Sequence, residues 1–180
     1  RGAATEPVRY RHAPVELRFF RSVGRTTPSA YASDWTIAFN VRGSLHSSAD
    51  TVRETMFHET FHLNDRDHGR WSESALSPTY DAIVARCTVA GKLSTPCLRP
   101  YAPHDTMVRG GTFYAFQPGN GVWEYAAELA VRYYQEQRAA IAKHPSRKPA
   151  FKCGPAENAT AWQLFSAEFF AGVDLVPACP

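Results

Sequence analysis

The sequence predicts an α+β fold in which a small sheet precedes a central helix and the C-terminal half is mainly helical. Three observations support this prediction. Residues 35–41 are rich in β-branched and aromatic side chains and stop before Gly43, as a strand does. Residues 51–64 contain no Gly or Pro and many helix formers. Residues 122–144 form an unbroken run before Pro145, which predicts the clearest helix in the chain.

Length and composition are those of one globular domain spanning residues 1–180, with 44% apolar residues. The net charge of +3 is too small to indicate nucleic acid or an anionic membrane as a partner, and no run of eighteen apolar residues predicts a membrane span. We therefore expect neither nucleic acid nor a membrane as a partner. We also expect the protein to be a monomer. The chain begins at Arg1 rather than Met, as we expect of a trimmed or processed fragment.

The other elements are predicted by local pattern. Residues 1–14 are expected to be loosely held, and a strand is expected within residues 15–23. Ser47-Ser48-Ala49-Asp50 is a capping-box-like start for the central helix, and Asn120 is a plausible cap for the helix over 122–144. Short and closing helices are expected at about 80–90 and 159–171, and residues 91–121, with four Pro and five Gly, are expected to form a long loop bordering a cleft.

The central helix carries the motif His58-Glu59-Thr60-Phe61-His62. Residues four apart lie one turn apart on the same helix face, so the two imidazoles can hold one metal ion with Glu59 beside the open coordination position. Zinc suits such ligands and lowers the pKa of a bound water to about 7, and an adjacent carboxylate can act as general base. The motif therefore predicts one zinc ion per chain and a hydrolytic site.

A chance occurrence of this motif is the alternative, and its setting is the argument against chance. The motif lies within a predicted helix directly after a predicted strand, where the chemistry needs it. Apolar side chains on other faces of the helix predict that it is buried in the middle of the domain; they are Val52, Met56, Phe57, Phe61 and Leu63.

A second set of candidate residues lies at the start of the helix over 122–144. Glu124 and Glu128 are four apart and border the face expected to point inward, which consists of Trp123, Ala127, Ala130 and Tyr134. Acidic residues in a first helical turn are also favoured by the helix dipole, which would explain Glu124 without any function. That explanation fits Glu128, among aromatic and small residues, less well.

The four cysteines contain no C-x-x-C pair, so disulfides are favoured over a zinc knuckle or a redox site. Of three connectivities, Cys87–Cys97 with Cys153–Cys179 closes the shortest loops and is our prediction. It indicates an oxidising compartment and hence a secreted, periplasmic or extracellular protein. Four buried free thiols in a cytosolic protein are the alternative.

The two motifs together resemble the gluzincin arrangement of thermolysin-like and anthrax-lethal-factor-like zinc peptidases. In that resemblance His58-Glu59-Thr60-Phe61-His62 is followed, after a long insertion, by Glu124-Tyr125-Ala126-Ala127-Glu128. It implies a zincin-like domain with His58, His62 and Glu124 as zinc ligands, Glu59 as general base and Glu128 orienting a ligand histidine. A tyrosine before the ligand glutamate stabilises the oxyanion in the lethal-factor-like branch; Gln117 stands at the corresponding spacing here, and Tyr114 is our candidate instead.

A second resemblance competes for the third ligand. His58, His62 and His68 have the metzincin spacing H-E-x-x-H-x-x-G-x-x-H, which would make His68 the third ligand and Met107 the residue beneath the metal. This chain departs from the pattern at Asp65, where Gly normally allows a sharp turn out of the helix. A favourable cation near the C-terminal end of the helix explains His68 equally well without a metal.

The sequence thus leads us to expect a zinc-dependent endopeptidase acting on a peptide or protein substrate. A peptide could add to an exposed edge of the strand over 35–41, although an ordinary core strand is the commoner arrangement. Two other classes remain open: a metal hydrolase that cleaves a different bond, and a binding module that retains the fold without catalysis.

Overall fold

The computed structural model describes residues 8–12, 14–108, 110–144 and 149–180. Over these ranges the chain is a mixed α and β structure with five α-helices and a small sheet, which confirms the predicted fold class. The chain forms two compact units, Arg11–Arg70 and Trp71–Pro180 together with Arg1–Tyr10. Residues 1–7 and 13, within the segment expected to be loosely held, lie outside the described residues. The single zincin-like domain stays a prediction.

The unit Arg11–Arg70 begins with a three-stranded sheet. Its strands are β1 (Glu16–Phe20), β2 (Ala30–Ser33) and β3 (Thr36–Asn40), in the order β1-β3-β2. β1 pairs with β3 in parallel and β2 pairs with it antiparallel, so β3 is the central strand. The hypothesis that a peptide adds to an edge of this strand is therefore wrong, because both of its edges are already hydrogen-bonded. β2 was not predicted from the sequence.

Helix α1 (Ala49–Asp67) follows the sheet and begins within the predicted capping segment, with Ser48 as its N-cap. The Ser48 hydroxyl accepts a hydrogen bond from the Thr51 amide at 3.1 Å, and the Thr51 hydroxyl accepts one from the Ser48 amide at 3.0 Å. These two bonds satisfy otherwise unpaired amides at the helix start.

α1 is buried less evenly than expected. Phe61 and Leu63 are buried, and Leu63 packs in a core cluster with Ala30, Ile37 and Phe39 of the sheet. Met56 and Val52 lie two and three turns before Leu63 on the same stripe and are exposed, which corrects the prediction that they are buried. The small sheet provides a core for the Leu63 end of the stripe only.

The unit that contains Trp71–Pro180 is mainly helical. A π-helical turn, Ser72–Leu76, runs into α2 (Ser77–Cys87), and a minimal hairpin of β4 (Thr88–Val89) and β5 (Lys92–Leu93) follows. The expected long loop over 91–121 contains β5, the short helix α3 (Thr95–Leu98) and two 3-10 turns, Arg99–Tyr101 and Tyr114–Phe116. Proline and glycine there interrupt regular structure without abolishing it.

Two long helices complete this unit, α4 (Val122–Ile141) and α5 (Ala156–Phe170), joined in part by a 3-10 turn at Phe151–Cys153. Ala127 and Ala130 are buried as predicted, but Trp123 is 40% exposed and Tyr134 is half-buried. The largest buried side chains of α4 instead stand four residues apart, at Tyr125, Leu129 and Tyr133. The inward face is thus rotated relative to the one predicted.

Both predicted disulfides are present. Cys87 pairs with Cys97 and Cys153 with Cys179, and no described cysteine is free. Paired cysteines indicate a non-cytosolic, oxidising compartment. Among the described helices, none combines the length and apolarity needed to cross a membrane.

Candidate metal centre

The two histidines of the motif lie on consecutive turns of α1 and face each other. Their Nε2 atoms are 3.1 Å apart, and the two rings meet edge to face with an interplanar angle of 79°. Helical geometry places them on one face, and the capped, proline-free start of α1 keeps that geometry regular.

This separation suits a shared metal ion. Two nitrogens at the usual zinc distances, about 2.0–2.1 Å, and a tetrahedral angle would lie roughly 3.3 Å apart. A hydrogen bond between one neutral imidazole N–H and the other ring nitrogen also fits 3.1 Å. In both cases the two ring nitrogens face each other and can act as a pair.

Glu124 completes a possible ligand group. One ligand atom from each of His58, His62 and Glu124 lies within 4.8 Å of the others, so these residues could hold a metal ion. Glu124 lies in the first turn of α4, where its amide donates to the carbonyl of the helix cap Gly121 at 3.1 Å. The predicted cap, Asn120, instead donates through its side chain to the Tyr114 carbonyl at 3.4 Å.

The two other acids of the motifs are both buried. Glu59, next to His58 on α1, is 8% exposed, and Glu128, one turn after Glu124 on α4, is also 8% exposed. Acidic side chains are rarely this buried unless polar or charged groups surround them. Their burial separates them from ordinary surface carboxylates, and their roles as base and orienting residue stay predictions.

The competing candidates occupy other settings. His68 is the C-terminal cap of α1, where its amide donates to the Asn64 carbonyl at 2.9 Å, and it is not a member of the ligand group. Met107 forms an isolated bridge with Phe113 and is exposed. Tyr114 begins a 3-10 turn, where its amide donates to the Thr106 carbonyl at 2.8 Å. Its predicted oxyanion role stays a prediction.

Asn64 is a positioning residue that the sequence did not single out. Its side chain is buried two residues after His62, accepts from the Arg11 amide at 2.7 Å, and donates to the carbonyls of Arg11 and Thr60 at 2.8 and 2.9 Å. These bonds hold the main chain of Arg11 against helix α1. No local pattern in the sequence marked this residue, because its partner Arg11 lies 53 positions earlier.

The end of α1 is held by a second set of contacts. The Trp35 indole donates to the Asp67 carboxylate at 2.9 Å, and the Arg11 guanidinium lies 3.9 Å above the Trp35 ring centroid. A cation over an indole face is an attractive arrangement. Together with Asn64 these contacts fix α1 against the chain that precedes the sheet.

Tyr125 anchors the first turns of α4 beside Glu124. Its ring packs against Tyr80 and Phe116, with centroids 5.7 and 5.5 Å away. Burial raises the pKa of Tyr125 well above its usual value of 10, with a smaller contribution from Glu157. Burial also raises the pKa of Tyr80, assisted by Asp81. Both phenols therefore remain neutral and serve as packing groups.

Comparison with protein-family models, with curated proteins and with solved structures finds no match for this chain.

Proposed function

We propose that this protein is a zinc-dependent endopeptidase in which His58, His62 and Glu124 bind the ion and Glu59 is the general base. The observation that carries the proposal is the convergence of these three ligand atoms within 4.8 Å, with the Nε2 atoms of the two histidines 3.1 Å apart. The H-E-x-x-H motif adds a carboxylate next to the first ligand.

The donor set favours zinc over the hard cations. Two imidazoles and one carboxylate match the ligands of catalytic zinc sites, whereas calcium and magnesium prefer all-oxygen surroundings. The carboxylate also compensates one of the two positive charges of the ion. When bound, zinc would supply Lewis acidity, lowering the pKa of a water to about 7 and polarising a substrate carbonyl.

The residues of the chain would handle the protons. Glu59 accepts the proton of the attacking water and delivers it to the nitrogen of the leaving amine, so one carboxylate serves as base and then as acid. Its burial places this carboxylate in a setting of low dielectric, where its charge acts strongly on nearby groups. Glu128 would orient a ligand imidazole through that ring's second nitrogen, which fixes the tautomer needed for binding.

The proposed substrate is a peptide or protein outside the cytosol. Two disulfides support a secreted or periplasmic location, and the water-activating chemistry of the proposed site suits amide hydrolysis.

The test is peptide cleavage by Glu59→Gln, assayed on a fluorescence-quenched peptide library with products identified by mass spectrometry. Glutamine keeps the shape but cannot accept the proton, so we expect zinc retention and a loss of rate of about 10²–10⁴-fold or more. Glu73→Gln, the same change at an exposed position, is the matched control and should retain full activity. Unchanged cleavage by Glu59→Gln, or a zinc-loaded wild type that cleaves no library peptide, would refute the peptidase assignment.

A further inference from the structure

Strand β1 forms an open edge of the sheet. It pairs with β3 on one side and, among the described residues, with no strand on the other. The Glu16 amide donates to the Trp35 carbonyl and the Val41 amide to the Phe20 carbonyl, both at 2.9 Å. In a parallel pair the bonding direction alternates, so Leu17 and Phe19 direct their N–H and C=O groups away from the sheet.

The side chains at this edge are apolar and exposed. Leu17 and Phe19 are aligned in register with Ile37 and Phe39 of β3, so all four point to the same face of the sheet. Ile37 and Phe39 are buried there, whereas Leu17 is 44% exposed and Phe19 is 69% exposed. The Phe19 ring stacks on that of Phe39 with a centroid distance of 6.0 Å. The apolar layer of the sheet thus ends at an uncovered margin.

This edge lacks the usual protection against pairing. Edge strands are commonly blunted by proline, bulges or inward-pointing charges. Glu16–Phe20 contains no proline, and its register with β3 runs without a bulge. Its two charged residues, Glu16 and Arg18, pair with each other at 2.9 Å and lie on the opposite face from Leu17 and Phe19.

The end of the sheet beside this edge is positively charged. Glu16 and Asp34 are the acidic residues between residues 14 and 48, and both are paired, with Arg18 and Arg66 respectively at 2.9 Å. Arg21, Arg25 and Arg42 are exposed, and none has an ion-pair partner among the described residues. Because β1 and β3 are parallel, Arg21 and Arg42 follow the same end of the sheet.

We propose that β1 binds an extended acidic segment of a partner protein by β-strand addition. Its main chain would pair with the outward groups of Leu17 and Phe19, and its alternate apolar side chains would cover the exposed margin of the apolar layer. Acidic residues at one end of the segment would meet Arg21, Arg25 and Arg42. Main-chain hydrogen bonds between β1 and the segment would provide affinity. The arginines would select an acidic segment and set the direction in which it lies along β1.

This surface is independent of the proposed metal centre. It contains none of the residues proposed for the metal centre, which are His58, Glu59, His62 and Glu124. Absence of zinc or of peptidase activity would therefore leave the β1 proposal unaffected, and absence of peptide binding at β1 would leave the peptidase proposal unaffected.

The test uses a fluorescently labelled peptide of alternating valine and threonine that ends in glutamates, titrated into the intact chain. We expect saturable binding that weakens with salt, and clearly weaker binding of the same peptide ending in lysines. Charge reversal of Arg21, Arg25 and Arg42 to Glu should weaken binding of the glutamate peptide by about tenfold or more, because several exposed ion pairs are lost together.

Main-chain pairing is tested by methylating the peptide nitrogens. Methyl groups on one alternate set of nitrogens should abolish binding, whereas methyl groups on the other set should be tolerated, because only one set faces β1. Leu17→Pro should also abolish binding, since proline removes an outward N–H that β3 does not use; Leu17→Thr, which keeps it, is the control. Circular dichroism checks that the Pro variant is folded, and the methylated peptides need no variant.

Several results would overturn the proposal. They are absence of binding, equal binding of the lysine peptide, equal sensitivity to both methylation sets, and self-association of the chain that Leu17→Pro removes. The last result would assign the edge to a second copy of the chain instead.

Discussion

The two motif histidines share their helix with Asn64, whose buried side chain bonds to both main-chain groups of Arg11 and to the Thr60 carbonyl. A side-chain amide can satisfy a donor and an acceptor at once, which no apolar residue at this position could do. Removing it would leave main-chain groups without partners in a partly buried setting. Asn64 therefore connects the histidine helix to the segment before β1.

We expect Asn64→Ala to lower the free energy of unfolding by about 1–3 kcal/mol, the penalty for leaving partly buried polar groups unsatisfied. Urea denaturation followed by circular dichroism measures this change. Asn64→Asp keeps the acceptor but loses the donor, so an intermediate loss is expected. An alanine variant as stable as wild type would show that water replaces these bonds fully.

Of the candidate site residues, His58, Glu59 and His62 could be predicted by spacing within one helix, because helical periodicity relates residues one turn apart, whereas Glu124 was predicted from the family resemblance. Asn64 could not be identified in this way. Its partner Arg11 lies 53 positions earlier, and no local pattern encodes a hydrogen bond over that separation. For the same reason the choice between Glu124 and His68 as third ligand could not be made from local sequence.

At the scale of elements, α1 depends on its cap as well as on its packing. Its first turn is closed by the reciprocal Ser48 and Thr51 bonds, and two hydroxyls farther along, Thr55 and Thr60, bond to carbonyls one turn earlier at 2.9 and 2.7 Å. Because Val52 and Met56 are exposed, packing contributes little to the first turns. The cap should therefore matter more than in a fully packed helix.

Ser48→Ala is expected to destabilise the chain by about 1 kcal/mol, the usual effect of losing an N-cap side chain. Ser47→Ala is the matched control, since its hydroxyl lies 3.5 Å from the Thr51 hydroxyl and caps no amide. Thermal unfolding of both variants makes the comparison. Equal melting temperatures for Ser47→Ala and Ser48→Ala would count against the cap.

The elements that local sequence specifies were predicted correctly: β1, β3, α1, α2, α4, α5 and a cap for α1 within residues 47–50. Errors arose where packing decides. β2 is only four residues long, Ala30–Ser33, and forms through pairing with β3, which its own composition does not encode. The buried face of α4 was misassigned because Trp123, the most hydrophobic-looking candidate, lies exposed in the first turn.

At the scale of the whole molecule, the C-terminal segment is fixed to the helical unit by polar contacts as well as by a disulfide. Asp174 accepts hydrogen bonds from Lys152, Trp162 and Gln137 at 2.6, 3.0 and 3.0 Å. Burial raises the pKa of Asp174, but these bonds and one from the Val176 amide outweigh it, so its pKa lies below the ordinary value near 3.8. The carboxylate form therefore stabilises the fold.

A lowered folded-state pKa means that this stabilisation is complete above about pH 4 and is lost as pH falls through the pKa of Asp174 in the folded chain. Asp174→Asn lacks the charge at every pH. The stability difference between wild type and Asp174→Asn should thus be largest near neutral pH and shrink in acid. Urea denaturation across this pH range measures it; a difference that stays constant or grows in acid would contradict the assigned role.

The central claim is that His58, His62 and Glu124 bind one zinc ion, and elemental analysis of the purified chain and its variants tests it most directly. We predict one zinc per chain in wild type, loss of zinc in Glu124→Ala, retention in His68→Ala, and affinity reduced by about 10–100-fold in Glu128→Ala, as for other residues that orient ligands. Circular dichroism shows whether each variant is folded. A folded wild type that takes up no zinc, or a His68→Ala variant that loses zinc while Glu124→Ala keeps it, would contradict the claim.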